Sequence, residues 1–369
     1  MYTLLVFFVV FLCILQVLML FYTVFAYFFV RVYSESRRFT NTVSILLPVR
    51  NEAHCLRRCL DSLEALDFPT SQLEILIGND ASTDESEKII KEYVEKYHHF
   101  KQVDIVANYH GLKGKANVLA QLAKKAKGQF LLITDADIEV NMWWAKGMTY
   151  YFENVNCGMV SGITATQTFG ILGKFQYMEW LFYSGLINVT DKFSSQVAVG
   201  NNMAIRRSVY EEIGGYEEIG FSITEDLHLL QAVKKKGYSH EFVIHPVTLC
   251  ETLPKDNLKS LLVQRSRWLN GVFQHLPKKY IFAITIHTSD LVLIGLLFFM
   301  MPYVAAVLLA VRFVLRYLFL QINAWQSGLK MNHLAYVIFE LFFLPYNIMM
   351  ILFYWFNRSI IWKSRKYKK

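Results

Sequence analysis

The stretch "LLITDADIEV", residues 131–140, joins a run of apolar residues to two carboxylates that a single alanine separates. The run Phe130–Thr134 predicts a buried β-strand because it is short and almost wholly apolar. Residues two apart along a strand point the same way, so Asp135 and Asp137 can converge on one hard cation just past the strand end. Mg²⁺ is typically held by one or two carboxylates together with substrate phosphates. A solvent-exposed β-turn is the alternative for so short a motif.

The residues before this strand alternate between short apolar runs and segments with helical spacing. Strands are predicted at Val43–Val49, Leu73–Gly78, Val103–Ala107 and Phe130–Thr134, and helices at Ala53–Leu66, Asp84–Tyr97 and Lys115–Lys127. Repeated strand–helix units of this length predict an α/β fold with a parallel sheet and helices on both of its faces. Such sheets bind ligands at the carboxyl ends of their strands.

Acidic clusters follow three of the predicted strands. They are "PVRNE", residues 48–52, "GNDASTD", residues 78–84, and "TDAD", residues 134–137. One such cluster alone is typical of a turn or a helix N-cap, and capping is the expected role of Asp84. Three clusters at one edge of a sheet predict a shared ligand site. They therefore favour the cation hypothesis for Asp135 and Asp137.

The segment "SITEDLHLLQAV", residues 222–233, predicts a helix that Thr224 caps and that has two acids in its first turn. Acids at a helix start stabilise the helix through its dipole, which is one explanation for Glu225 and Asp226. The other explanation makes Asp226 a general base, a role that a carboxylate can have when it lies within hydrogen-bond reach of an acceptor hydroxyl.

The segment "VQRSRWLNG", residues 263–271, contains Gln264, Arg265, Arg267 and Trp268. Arginine binds phosphate groups through two hydrogen bonds at once, and tryptophan presents a flat face that suits a sugar ring. A helix beside the membrane with basic and aromatic anchors is the alternative.

Two more segments each have two explanations. In "VGNNMAIRRSVYEEIGGY", residues 199–216, Asn201 and Asn202 either line an acceptor pocket or form a turn. The aromatic helix predicted at residues 172–187 either lies in the membrane interface or packs within the domain.

Long apolar runs at both ends of the chain predict membrane segments. Met1–Val30 contains no charged residue, and about 20 apolar residues suffice to cross a bilayer. Further runs lie at Leu291–Val311 and Leu334–Phe356. The predicted parts are an N-terminal transmembrane anchor (1–32), a cytosolic domain (40–280), a C-terminal region of about two transmembrane helices (288–357) and a basic cytosolic tail (358–369).

Basic residues flank all three apolar runs, and the positive-inside rule places these flanks in the cytoplasm. The net charge of +8 is therefore explained by the membrane edges, so membrane lipid is an expected partner and nucleic acid is not. The five cysteines are expected to be reduced thiols of a cytosolic chain. Cys55 and Cys59 beside His54 could hold a metal, but the sequence lacks the second pair that such sites usually have.

The order of these motifs resembles that of the membrane-bound family 2 glycosyltransferases, which include cellulose, chitin and hyaluronan synthases and the ceramide glucosyltransferases. The resemblance covers residues 43–271. It implies a GT-A fold, which is Rossmann-like, with N- and C-terminal transmembrane helices. It also implies a nucleotide-sugar donor, with a UDP-sugar favoured, and Mg²⁺ or Mn²⁺ as the cofactor.

The resemblance also implies a role for each candidate residue. The implied roles are nucleoside binding for Glu52 and Asp80, donor binding for Lys115, metal and diphosphate binding for Asp135 and Asp137, general base for Asp226, acceptor binding for Glu225 and Trp268, and leaving-group binding for Gln264, Arg265 and Arg267. The expected enzyme is an inverting, metal-dependent hexosyltransferase.

The expected acceptor is a lipid-linked or membrane-proximal glycan, because this chain offers fewer membrane segments than the polymer-secreting relatives use. A processive polysaccharide synthase with an unknown partner subunit is the alternative enzyme, and a non-catalytic membrane scaffold of the same fold is the alternative outside enzymes. The expected location is the bacterial inner membrane, with the catalytic domain facing the cytoplasm.

Overall fold

A computed structural model describes residues 41–194, 196–275 and 301–357, isolated residues in 3–25 and 295–299, and the strands at 359–362 and 365–368. The predicted anchor at 1–32 and residues 291–294 of the second apolar run lie mostly outside this description. The basic tail at 358–369 is described only as the two short strands. These three predictions therefore stay predictions.

The strands form one large sheet and two small ones. They are β1 Val43–Val49, β2 Leu73–Asn79, β3 Phe100–Val103, β4 Phe130–Thr134, β5 Ile138–Val140, β6 Cys157–Gly162, β7 Thr164–Thr166, β8 Asn202–Arg206, β9 Ser239–Val243, β10 Cys250–Thr252, β11 Ser359–Trp362 and β12 Arg365–Lys368. The seven-stranded sheet has the order β3-β2-β1-β4-β8-β6-β9. A three-stranded sheet has the order β5-β10-β7, and β11 pairs with β12.

The large sheet is mixed: its four predicted strands are parallel, and β6 and β9 are parallel too. Strands β3, β2, β1 and β4 are parallel neighbours, whereas β8 runs antiparallel to both β4 and β6. The parallel arrangement predicted for the first four strands is therefore confirmed, and the antiparallel β8 was not predicted. After β4 the chain turns at Asp135–Ile138 into the small sheet, and it returns to the edge of β4 from the opposite direction.

The third strand lies earlier than its predicted position, at Phe100–Val103 in place of 103–107. The backbone of Val106 bonds to side chains: its N–H donates to Gln121 Oε1 at 2.9 Å, and its C=O accepts from Asn117 at 3.0 Å. These amides satisfy the backbone groups that a longer strand would have paired with β2.

The helices, in chain order, are α1 Ala53–Glu64, α2 Ser86–Lys96, α3 Gly114–Lys125, α4 Trp144–Tyr150, α5 Gly170–Ser194, α6 Arg207–Glu212, α7 Gly215–Ile219, α8 Glu225–Lys235, α9 Leu258–His275, α10 Pro302–Ser327 and α11 His333–Phe356. Alternate residues of β1 enter different cores. Ile45 and Leu47 pack with α1, α2 and α4, and Leu46 packs with α3, α7 and α8. Helices cover both faces of the sheet, as predicted.

Helices α10 and α11 are long and apolar enough to cross a membrane. One side of each packs on α5: Phe182 contacts Phe319 of α10, and Phe175 and Phe182 both contact Phe339 of α11. The aromatic residues of α5 thus pack within the structure. A buried ion pair also joins the two helices: Arg312 of α10 donates to Glu340 of α11 at 2.5 Å.

Candidate active site

The loops that follow β1 and β2 are joined by hydrogen bonds at the carboxyl edge of the sheet. Asp80 N–H donates to Val49 O at 2.8 Å, which continues the pairing of the two strands past their ends. Asp84 accepts from Ala53 N–H and from Ser86 N–H, both at 3.0 Å. Burial raises the pKa of Asp84, but these hydrogen bonds outweigh it and lower the pKa below its usual value. Asp84 thus ties together the starts of α1 and α2, but the N-cap positions of these helices are Glu52 and Glu85, so the N-cap role expected for Asp84 is wrong.

Glu52, in the loop after β1, and Asp80, in the loop after β2, both lie at this edge of the sheet. Glu52 is 8% exposed, and its N–H donates to Ser86 Oγ at 3.0 Å. The main-chain oxygen of Asp80 accepts from the Arg50 guanidinium, and the Asp80 carboxylate lies 4.0 Å from Arg50 Nη1. The sequence prediction had not identified Arg50, although it stands inside the "PVRNE" motif.

The metal hypothesis for the cysteines is not supported by their geometry. Within the described ranges, Glu52, His54 and Cys55 are the group of three potential ligands that lie within 4.8 Å of one another. Cys59 lies apart from this group and its thiol donates to Asp135 O at 3.5 Å. The four cysteines that the structure describes are free thiols, as expected.

Lys115 lies at the centre of the acidic residues that the sequence predicted. Its Nζ lies 2.7 Å from Asp135 Oδ1 and 3.1 Å from Glu225 Oε1, and it donates to Gly200 O at 2.9 Å. Burial lowers the pKa of Lys115, but Asp135 and Glu225 outweigh burial and raise the pKa above its usual value. The ammonium group is therefore charged and brings α3, the end of β4 and the start of α8 together.

Asp226 is held by the N–H of the same residue, Gly200, whose C=O binds Lys115. Gly200 N–H donates to Asp226 Oδ2 at 2.9 Å, and Leu227 N–H donates to Oδ1 at 2.8 Å. Burial, followed by the charge of Glu225, raises the pKa of Asp226 to about 6, while Lys115 and Arg267 act in the opposite direction. A carboxylate with this pKa can exchange a proton near neutral pH.

Gly200, like Arg50, was not identified by the sequence prediction. A Cβ at this position would lie 2.7 Å from Asp226 Oδ2 and 3.0 Å from Asp226 Cγ. No other residue fits there without moving the carboxylate. The signal in the sequence was a glycine directly before the Asn201–Asn202 pair.

Those two asparagines fix the Gly200 segment. Asn201 accepts from Thr134 through its main-chain oxygen at 3.1 Å and from Thr164 through Oδ1 at 3.0 Å. Asn202 is fully buried and accepts from Trp144 Nε1 at 2.8 Å. The acceptor-pocket explanation is wrong for Asn202, because its side chain is inside the protein core.

Asp135 and Asp137 offer the oxygen ligands that a hard divalent cation requires. The backbone turns at this point, with Ile138 N–H donating to Asp135 O at 3.1 Å, and Arg58 donates to Asp137 O at 2.8 Å. Asp135 already lies beside one cation, the Lys115 ammonium group. The donor set therefore fits Mg²⁺ or Mn²⁺, with the remaining ligands left to substrate phosphate and water.

Helix α9 comes close to this acidic site at Gly271. A Cβ on Gly271 would lie 2.3 Å from Thr224 Cγ2, so the helix can pack there only because that residue is glycine. Thr224 occupies the N-cap position of α8, as predicted. Arg267 lies one helical turn before Gly271 and is close enough to Asp226 to lower its pKa.

Arg265 has a different role from the predicted leaving-group contact. Its side chain is 2% exposed, and its Nε and Nη2 donate to Glu179 Oε2 at 3.1 and 2.6 Å. Its Nη1 donates to Gln264 Oε1 at 2.6 Å. The prediction failed because the sequence does not show that α9 carries one arginine toward the acids and the other toward α5.

A cavity of about 680 Å³ lies apart from the acidic site. It is bounded by the ends of β7 and β10, by α5 and by the turn between α10 and α11. Tyr177 fixes that turn by donating to Lys330 O at 2.8 Å. The cavity includes Glu251 but none of the predicted site residues.

The chain is similar to known glycosyltransferases. A poly-β-1,6-N-acetyl-D-glucosamine synthase of Staphylococcus epidermidis is 28% identical over 331 residues, which are 89% of this chain and 76% of the relative. The probable glycosyltransferase YdaM of Bacillus subtilis is 30% identical over 243 residues, which are 62% of this chain and 54% of the relative.

The fold has a solved counterpart in the mannosyltransferase PcManGT of Pyrobaculum calidifontis, whose structure was determined in complex with GDP-Man and Mn²⁺. The TM-score is 0.54 at 18% identity, covering 93% of this chain and 94% of the other. The resemblance to GT-A glycosyltransferases is confirmed. A sequence profile matches residues 11–369, and this chain belongs to glycosyl transferase family 21.

Proposed function

We propose that the protein is an inverting, metal-dependent hexosyltransferase that moves one sugar from a nucleotide-sugar donor to a hydroxyl group of a lipid-linked or membrane-proximal glycan. The observation that carries the proposal is the arrangement around Gly200. Its N–H holds Asp226, its C=O holds Lys115, and Lys115 contacts Asp135. A base of raised pKa and a candidate metal ligand are thus linked through one residue, Gly200, and one lysine.

The donor end consists of the residues at the strand ends. Glu52 and Asp80 hold the nucleoside, and Asp135 and Asp137 hold Mg²⁺ or Mn²⁺ together with the diphosphate. The bound cation would neutralise charge on the departing nucleoside diphosphate. PcManGT, which shares the fold, was solved with Mn²⁺ and GDP-Man, and this supports the choice of cation.

Lys115 then has two sets of partners. Without substrate its ammonium group neutralises Asp135 and Glu225. With substrate it donates to the diphosphate, where its positive charge favours the leaving group. Arg267 provides a second positive charge, since it lies near Asp226 and faces the same site.

The acceptor end is formed by Asp226, Glu225 and Trp268. Asp226 removes the proton from the acceptor hydroxyl as its oxygen attacks the anomeric carbon, and the bond to the nucleoside diphosphate breaks. A single displacement inverts the configuration at that carbon. Trp268 presents a half-buried ring on α9 as a platform for the acceptor sugar.

A processive polysaccharide synthase is the second candidate. The observation in its favour is the relative that aligns over 89% of this chain and makes poly-β-1,6-N-acetyl-D-glucosamine. Such an enzyme would need a partner subunit or oligomer to pass the polymer across the membrane. The length of the product separates the two candidates. A non-catalytic scaffold would have no need of the Lys115–Asp135–Glu225 cluster.

The test is a donor screen with the purified full-length chain. UDP-N-acetylglucosamine is the first donor because of the Staphylococcus relative, and GDP-mannose is the second because of the shared fold. We expect release of nucleoside diphosphate from one nucleotide sugar with Mn²⁺ or Mg²⁺, and none after chelation. Equal release with and without the metal would contradict metal dependence, and no release from any nucleotide sugar would contradict the function. The cytoplasmic face of the bacterial inner membrane is the proposed location.

A further inference from the structure

A buried ion pair links α5 to the helix that carries Gln264 and Trp268. Glu179 is 1% exposed and Arg265 is 2% exposed. Two nitrogens of the guanidinium donate to the same oxygen, Glu179 Oε2, at 3.1 and 2.6 Å. Since both groups are excluded from water, the guanidinium has little freedom to rotate away from the carboxylate.

The held guanidinium fixes its two neighbours on α9. Arg265 lies over the ring of Trp268, with its central carbon 4.1 Å from the ring centre, which is the distance of a cation–π contact. The Trp180 ring meets Trp268 edge to face at 5.1 Å. Trp268 is therefore confined by Arg265 and by the residue next to Glu179.

The same guanidinium decides which way the Gln264 amide points. Arginine has donors and no acceptor, so the contact at 2.6 Å from Arg265 Nη1 must be made to the amide oxygen. The amide nitrogen of Gln264 is then turned away from Arg265. It can donate two hydrogen bonds to a phosphate oxygen or a sugar hydroxyl.

We propose that Glu179 is a positioning residue for acceptor binding: through Arg265 it fixes the ring of Trp268 and the amide of Gln264 in the orientation that receives a sugar. The sugar acceptor in this inference rests on the proposed function. The contacts of Glu179 and Arg265 do not depend on it. Glu179 lies in a helix outside every motif that predicted the site, and it acts on the site through its hydrogen bonds with Arg265.

The experiment is ¹⁹F NMR of the full-length chain in detergent, with 5-fluorotryptophan at its seven tryptophans. Trp268→Phe identifies the resonance of Trp268. The matched control for Glu179→Gln is Glu340→Gln, because Glu340 is also a buried carboxylate, paired with Arg312 in the neighbouring helix pair. We expect the Trp268 resonance to shift or broaden in Glu179→Gln and to stay unchanged in Glu340→Gln.

Each outcome of the NMR experiment either supports the proposal or overturns it. An unchanged Trp268 resonance in Glu179→Gln overturns the proposal, and so does an equal change in both variants, because that would indicate general loosening. If Glu179→Gln does not fold, Glu179→Met with Arg265→Met replaces the pair by apolar side chains of similar length, which proteins often tolerate. An unchanged Trp268 resonance in that double variant also overturns the proposal.

Activity gives the second readout. With UDP-N-acetylglucosamine as the probe donor, hydrolysis uses water and needs no sugar platform. Glu179→Gln should lower transfer to endogenous acceptor in membrane vesicles by about tenfold, equal to 1.4 kcal/mol, and leave hydrolysis within twofold. Equal losses of both reactions would overturn the acceptor role. If the wild type neither transfers nor hydrolyses any nucleotide sugar, the proposed function fails while the NMR result still decides the role of Glu179.

Discussion

Lys115 Nζ lies 2.7 Å from Asp135 Oδ1 and also contacts Glu225, so an ammonium group of the protein occupies the position between carboxylates to which a divalent cation would be attracted. Under the proposed function, metal and lysine would compete for Asp135 until a nucleoside diphosphate gives each of them a partner.

The competition predicts opposite effects for one substitution. In Lys115→Met, Mn²⁺ should bind about tenfold more tightly without nucleotide. A tenfold change equals ~1.4 kcal/mol, which is a modest share of the interaction energy of a close charge pair. Nucleoside diphosphate should bind more weakly because it loses a cationic partner. Isothermal titration measures both affinities. Lys113→Met is the control, because Lys113 is exposed and precedes the same helix. Weaker Mn²⁺ binding in Lys115→Met would contradict the competition.

Substitution of the two aspartates tests the metal assignment directly. Asp135→Asn and Asp137→Ala should each abolish the increase in nucleoside diphosphate affinity that Mn²⁺ causes, because each removes a carboxylate ligand. Glu139→Gln is the control: Glu139 follows Asp137 by two residues and pairs with Arg58. The measurement is titration of labelled diphosphate with and without Mn²⁺. Wild-type behaviour in both aspartate variants would show that the metal binds elsewhere.

Gly200 can be tested by adding a single methyl group. In Gly200→Ala the new Cβ would meet Asp226 Oδ2 at 2.7 Å and push the base from its place. We expect transfer to fall by roughly 10²-fold, at the lower end of general-base contributions, with nucleotide affinity little changed. The control is Gly158→Ala, whose Cβ would lie 2.8 Å from Tyr238 and 3.0 Å from Val233, at the C-terminal end of α8, whereas Asp226 lies at its start. If the control loses as much activity, overpacking and not the position of Asp226 explains the loss.

The parts of the fold that depend on local pattern could be predicted from the sequence. The bounds of β1 and β4 matched because both strands are short apolar runs ended by polar turns. The neighbour of a strand in the sheet could not be predicted in this way. Strand β8 lies beside β4 after a long segment that passes through the small sheet and α5, and no local sequence pattern indicates the orientation of β8.

The candidate site divides in the same way. Asp135, Glu225 and Lys115 come together because strand ends and helix starts meet at one edge of the sheet. The different contacts of Arg265 and Arg267 could not be predicted from the sequence. Side chains two residues apart on a helix point in different directions, and the partners of each arginine are far away in the sequence. Glu179 is 86 residues from Arg265.

The raised pKa of Asp226 predicts how activity and stability change with pH. Burial and the charge of Glu225 hold it at about 6, so kcat/KM should rise as pH increases through about 6 and then level off. The folded state binds the proton more tightly than an unfolded carboxyl with its pKa of about 3.9. The stability contributed by that proton is present below about pH 4 and is lost as pH rises through about 6. Asp226→Asn, which cannot ionise, should therefore melt no lower than the wild type at pH 7.5.

The central claim, that Asp226 is the base that activates the acceptor, is tested most directly by Asp226→Asn measured three ways on one sample: transfer rate in membrane vesicles, nucleotide-sugar affinity and melting temperature. The base acts on the acceptor and not on the donor. We therefore predict a loss of 10²–10⁴-fold in transfer, or roughly 3–5 kcal/mol, with donor affinity unchanged and no fall in melting temperature. Near-normal transfer by a folded Asp226→Asn sample would contradict the account and would leave Glu225 as the acid to test for the role of base.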